Sequence, residues 1–128
     1  MREEIRDKDR LLHIRDAITQ LNLAREQYVK SDLGNEPIVF YGIVKLIEII
    51  GEAAYMLTLE FKEKHPETPW KQIVGMRHVL VHGYYQLSID DVWDVITNDI
   101  PALESHIEKY IVNMNRLNDV QYIKFLNN

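Results

Sequence analysis

Residues 93–114 read WDVITNDIPALESHIEKYIVNM. Apolar side chains fall at Trp93, Ile96, Ile100, Leu103, Ile107, Tyr110 and Met114, in steps of three and four. That is the repeat of one face of an α-helix, in which 3.6 residues complete a turn. A half-buried strand would alternate with period two, and this stretch does not. Pro101 lies inside the pattern. It has no N–H, and its ring collides with the turn before it, so the helix should kink or split near Asn98 to Ile100.

The same period recurs upstream. Leu11, Ile14, Ile18, Leu21 and Tyr28 define a first segment, with Arg25 in its one polar slot. Ile43, Ile47, Ile50, Ala54, Leu57 and Phe61 define a second, and Ile73, Met76 and Leu80 a short third. The breaks fall at Gly34 with Pro37, at Pro66 with Pro69, and at Gly83. Thr68-Pro69 reads as an N-cap and first helical residue. Ser88-Ile89-Asp90-Asp91 reads as a capping-box variant, and Gly83 as a left-handed helix stop. No stretch sustains alternation, so no sheet is expected. The fold class is all-α, an antiparallel bundle of four to five helices, and 128 residues make a single domain, 1–128.

Composition narrows the function classes. Without cysteine there is no disulfide scaffold, thiolate zinc site or cysteine nucleophile. The N-terminal MREEIRDKDR has no apolar run, so no signal peptide is expected. Residues 38–59 are the most apolar, but Lys45, Glu48 and Glu52 interrupt them, and no membrane span or membrane partner is expected. A cytoplasmic location follows as the expectation. The net charge of -5 weighs against non-specific nucleic-acid binding. The second segment carries more apolar surface than one seam needs. Ile49, Tyr55, Met56 and Leu59 lie on the side away from Ile43, Ile47, Ile50 and Ala54, which predicts a central helix or a homodimer face.

The third segment holds the chemistry. At about 100° per residue, Lys71, His78 and His82 cluster within roughly 40° on the side opposite Ile73, Met76 and Leu80. No Asp or Glu occurs between Thr68 and Ile89, so an acidic chain carries a local positive patch there. Arg77 falls near the core edge. It is either half of an intramolecular ion pair, perhaps with a second-helix glutamate, or an arginine aimed into an inter-subunit cleft. His82, beside a helix stop, is placed for proton transfer, with Tyr84 in the following turn. Arginine to hold a phosphate, histidine to move a proton and tyrosine to donate a hydrogen bond make a metal-free set for phosphodiester cleavage. Two other patterns fall away. Asp90-Asp91-Val92-Trp93-Asp94 lacks a second acidic cluster and is explained as acids in a first helical turn. His78 and His82 are spaced for zinc, but lack a third ligand, so no metal is expected.

Arg77-His78-Val79-Leu80-Val81-His82-Gly83-Tyr84 resembles the R-x4-H-x-Y motif of HEPN domains, in particular the HepT-like branch. Ile49-Ile50-Gly51-Glu52-Ala53-Ala54 resembles that branch's second helix. Residues 69–77 resemble its approach to the motif, and Val92-Trp93-Asp94 with Asn98-Asp99-Ile100-Pro101 its last helix. The likeness runs from about residue 11 to 111 and leaves 112–128 as an extension. It implies an HEPN-like bundle whose dimer brings two motifs to one cleft. It further implies a metal-independent endoribonuclease toxin acting on RNA, tRNA among the targets, without a cofactor. Arg77 and His82 would be catalytic, and Lys71, His78 and Tyr84 auxiliary. A cognate minimal nucleotidyltransferase antitoxin would neutralise it by AMP transfer to Tyr84. The alternative is a non-catalytic helical subunit that presents Tyr84, or a substrate, to the nucleotidyltransferase. His78 departs from the family's usual Asn, and Lys45 from its frequent Arg. Val120, Tyr122, Ile123, Phe125 and Leu126 in the extension could form a short packed helix or dock on the partner.

Overall fold

The computed structural model describes residues 2–78 and 88–127, with side chains from Arg6 onward. Its helices are α1 (Arg2–Gln27), α2 (Lys30–Asn35), α3 (Pro37–Met56), α4 (Leu59–Lys64), α5 (Trp70–Gly75), α6 (Ile89–Asp94) and α7 (Ile100–Asn127). A 3-10 turn, Met76–His78, continues α5, and a π-helical turn, Val95–Asp99, joins α6 to α7. The described residues contain no strand. None of their helices is long and apolar enough to cross a membrane.

The expected faces form the core. Leu11, Ile14, Ile18 and Leu21 of α1 are buried, as are Ile43, Ile47, Ile50 and Ala54 of α3. Ile96, Ile100, Leu103, Ile107 and Tyr110 complete it from the last helix. Burying each large aliphatic chain is worth about 1.5–3 kcal/mol. α1 packs along α3 and α7, and α3 also carries α5 and its 3-10 turn. The outward residues of α3 stay exposed: Ile49, Tyr55 and Met56, with Leu59 at the start of α4.

Three local features differ from the periodicity or refine it. The second segment does not run through to Phe61, because Leu57 and Thr58 adopt extended backbone and Thr58 caps α4, accepting from Phe61 N–H at 3.1 Å. Asp7 of α1 secures the break. Its buried carboxylate accepts from Thr58 N–H at 2.8 Å and Thr58 Oγ1 at 2.7 Å. Pro101 produces the π turn. There Ile100 N–H bonds Val95 O, not Ile96 O. Ile96 O then faces Pro101 at the π spacing, and proline has no N–H to give. Arg25 reaches across from α1 and donates Nη1–H to Ile96 O at 3.4 Å, which explains the polar slot.

The start of α5 is displaced by one residue. Pro69 stands at the N-cap and the Thr68 side chain caps nothing, being engaged by His106 and Tyr110. Ser88 does cap α6, accepting from Asp91 N–H at 3.3 Å. The extension forms no separate packed helix. It continues α7, and Val120, Tyr122, Ile123, Phe125 and Leu126 are exposed along it.

Candidate active site

Two anchors set the direction of α5. Trp70 is buried and donates Nε1–H to His65 O at 2.9 Å, and Ile73 is buried against the core. After Gly75 the helix tightens to the 3-10 form, about 120° per residue instead of 100°. The uniform α-helical wheel drawn through Leu80 therefore ends at Gly75. Lys71 and His78 are both exposed, as expected. His82 and Tyr84, with Leu80 and Gly83, lie outside the described residues.

Gly51 lets the turn come close. A Cβ there would stand 2.2 Å from Arg77 N, 2.8 Å from Met76 C and 3.0 Å from Arg77 Cα. Backbone meets backbone at this point, and only a hydrogen side chain leaves room for it. Tyr55 lies one helical turn further along the same face of α3. The Arg77 guanidinium carbon sits 3.7 Å from the Tyr55 ring centroid, a cation–π contact worth about 0.5–1 kcal/mol where water has access. Arg77 Nε–H also donates to His78 Nε2 at 3.2 Å. Guanidinium nitrogens only donate, so His78 Nε2 is the acceptor.

These contacts remove the glutamate pairing of Arg77 among the described residues. The second-helix partner is an aromatic face and not a glutamate, and Glu48 pairs with Lys45 at 2.9 Å. Among the described residues Arg77 makes no ion pair. The half-buried guanidinium rests on a ring and beside an imidazole, and a guanidinium fork is the geometry that pairs with anions. Lys71 is not drawn into this contact. Tyr55 and Gly51 are the contacts of this turn that periodicity missed. A lone glycine in an apolar helical run, followed four residues on by tyrosine, was the available signal.

Fold and turn together define a helical-bundle domain that carries an arginine and an imidazole side by side on one 3-10 turn. The profile described as Ribonuclease HepT-like matches residues 14–110, and the chain belongs to that family. Three relatives accord with this. "Putative RNase TTE0752" of Caldanaerobacter subterraneus subsp. tengcongensis is 39% identical over 80 residues, covering 62% of this chain and 71% of that protein. "Putative RNase MJ1380" of Methanocaldococcus jannaschii is 34% identical over 74 residues, 58% and 68% of the two chains. "Probable ribonuclease HepT" of Thermococcus cleftensis is 31% identical over 102 residues, 80% and 93% of the two. No solved structure matches significantly.

Proposed function

We propose that this chain is a metal-independent endoribonuclease that acts as a homodimer and serves as the toxin of a two-component toxin–antitoxin system. One observation carries the reading. Arg77 is held by Tyr55 and His78 without a carboxylate partner among the described residues, inside a stretch free of Asp and Glu. A phosphodiester is the anion that a ribonuclease brings to such a group.

In this reading the RNA 2'-hydroxyl attacks the adjacent phosphorus while His82 takes its proton. The 2'-O–P bond forms and the P–O5' bond breaks. The 5'-oxygen leaves with a proton returned by an imidazole, and a 2',3'-cyclic phosphate remains. Arg77 binds the charge that builds on the phosphorane oxygens. Lys71, His78 and Tyr84 assist in holding the strand. The exposed face of Ile49, Tyr55, Met56 and Leu59 is where a second copy would pack, bringing two such turns to one cleft. A minimal nucleotidyltransferase would silence the site by moving AMP from ATP onto the Tyr84 hydroxyl, the new O–P bond replacing the α–β phosphoanhydride as pyrophosphate leaves and the phenol gives up its proton, which adds a phosphodiester charge where the substrate's must sit. tRNA is the substrate class that the resemblance implies.

The test is RNA cleavage by protein expressed without a partner, in chelator, with the product ends mapped. Cyclic phosphate ends are expected, and they should disappear in Arg77→Ala and His82→Ala while binding to the nucleotidyltransferase persists. Intact mass after co-expression should show added AMP, absent in Tyr84→Phe. RNA left uncut by every form would overturn the proposal in favour of the non-catalytic subunit.

A further inference from the structure

A cavity of about 280 Å³ opens between the entry to α5 and the first turns of α7. Its polar wall comprises Glu67, Thr68, Gln72, Asp99 and His106. Ile73, Met76 and Leu103 supply apolar surface. Met76 immediately precedes Arg77, so the cavity and the guanidinium share one 3-10 turn.

A chain of hydrogen bonds behind this wall fixes its chemistry. Backbone and Tyr110 hydrogen bonds hold the Glu67 carboxyl below its usual range, so it is ionised and can only accept. Burial pushes the Tyr110 hydroxyl up to about 12, and it keeps its proton. Tyr110 therefore donates to Glu67 Oε1, at 2.8 Å. With that proton committed, the Tyr110 oxygen accepts from the Thr68 hydroxyl. The Thr68 oxygen in turn accepts from His106 Nδ1–H at 2.5 Å. Donation runs one way, from His106 to Glu67.

The wall thus brings two carboxylate residues, Glu67 and Asp99, together with the Gln72 amide and the His106 ring. Two carboxylates repel phosphate. What suits them is a flat ring with N–H donors on its edge and apolar faces for Ile73 and Met76. Carboxylates accept from exocyclic amino groups of bases, and proteins read RNA sequence mainly from unstacked single-stranded bases.

We infer that this cavity is a base-reading subsite, which takes an unstacked amino-bearing nucleobase of the RNA and discriminates against uracil. Uracil has no amino group, and its single edge donor, N3–H, is flanked by two carbonyl oxygens that the carboxylates repel. The RNA context rests on the ribonuclease reading, whereas recognition of the base does not.

The test is a titration of the full chain with cytidine, adenosine and uridine, followed by NMR. Cytidine and adenosine should bind at least about tenfold more tightly than uridine, with shifts at Gln72, Met76 and Ala102. Ala102 lines the cavity and is exposed, so Ala102→Trp should fill the cavity, keep the core and abolish this binding. Asp99→Asn, which keeps the volume, should erase the preference over uridine. Equal binding of uridine, selectivity that survives Ala102→Trp, or no shifts at nucleoside solubility would each overturn the subsite. Selective nucleoside binding by a protein that leaves RNA uncut would refute the ribonuclease reading alone. Cleavage without nucleoside selectivity would refute the subsite alone.

Discussion

Replacing Gly51 by alanine puts a methyl group into the contact that seats Arg77. The added carbon would lie 2.2 Å from Arg77 N, and real Cβ atoms essentially never come within 3.0 Å of such an atom. The shortfall is at least 0.8 Å. All three nearest atoms are backbone, so no side chain can swing aside. Either α3 and the 3-10 turn separate or the turn distorts. Overpacking of this kind costs about 1–3 kcal/mol, occasionally more. Alanine returns about 0.5–1 kcal/mol as the better helix former. The net expectation is a loss of up to about 2.5 kcal/mol, centred on about 1. At Gly42, on the same helix, an added Cβ would meet nothing within 4 Å, so Gly42→Ala should gain about 0.5–1 kcal/mol. Urea unfolding of the two variants should bracket the wild type. If the turn yields instead of the fold, the cost appears in activity, since a displacement of about 1 Å can cost about a hundredfold in rate. RNA cleavage measured beside unfolding captures both routes. A Gly51→Ala protein that matches wild type in stability and in cleavage would refute the close approach.

Tyr110→Phe should alter the alkaline limb of stability. The folded value of about 12 exceeds the roughly 10 of an unfolded tyrosine, so the group's contribution is complete below about pH 10 and fades between about 10 and 12. Wild type should lose stability relative to Tyr110→Phe across that window, and parallel unfolding curves would contradict it. Arg25→Met should cost about 1 kcal/mol by abandoning the Ile96 carbonyl. In a Pro101→Ala background, which restores an N–H, the cost should shrink by at least about 0.5 kcal/mol, and strict additivity in the double-mutant cycle would refute the link. Asp7→Ala removes both acceptors from Thr58 and should lower stability by about 2–3 kcal/mol. Calorimetry showing less than half of that would mean that water replaces the carboxylate.

The sequence made the helices and most of their inward faces legible. Ile96, Ile100, Leu103 and Ile107 are buried where the three-and-four spacing puts them, because that spacing is imposed by backbone geometry within one segment. Pro101 marked its irregularity for the same local reason. The break at Leu57–Thr58 was hidden, since the apolar repeat continues through Phe61 while the carboxylate that holds the break comes from Asp7, 51 positions away. The tightening of α5 at Met76 was hidden too, because nothing in residues 70–78 taken alone forbids another α-helical turn.

At the candidate site the division is similar. A carboxylate-free stretch holding Lys71, Arg77, His78 and His82 is a property of the chain itself, and so is the spacing that resembles the HepT-like motif. Its positive charge needs no fold to exist. What Arg77 touches is another matter. Tyr55 rather than a glutamate lies against it, Gly51 admits its backbone, and Thr68, His106 and Tyr110 join across some 40 positions of sequence into one oriented chain. Periodicity is set by neighbours three and four residues apart and can be read from one segment. Partners across the bundle are chosen by how whole helices pack, and only the tertiary structure brings them within reach.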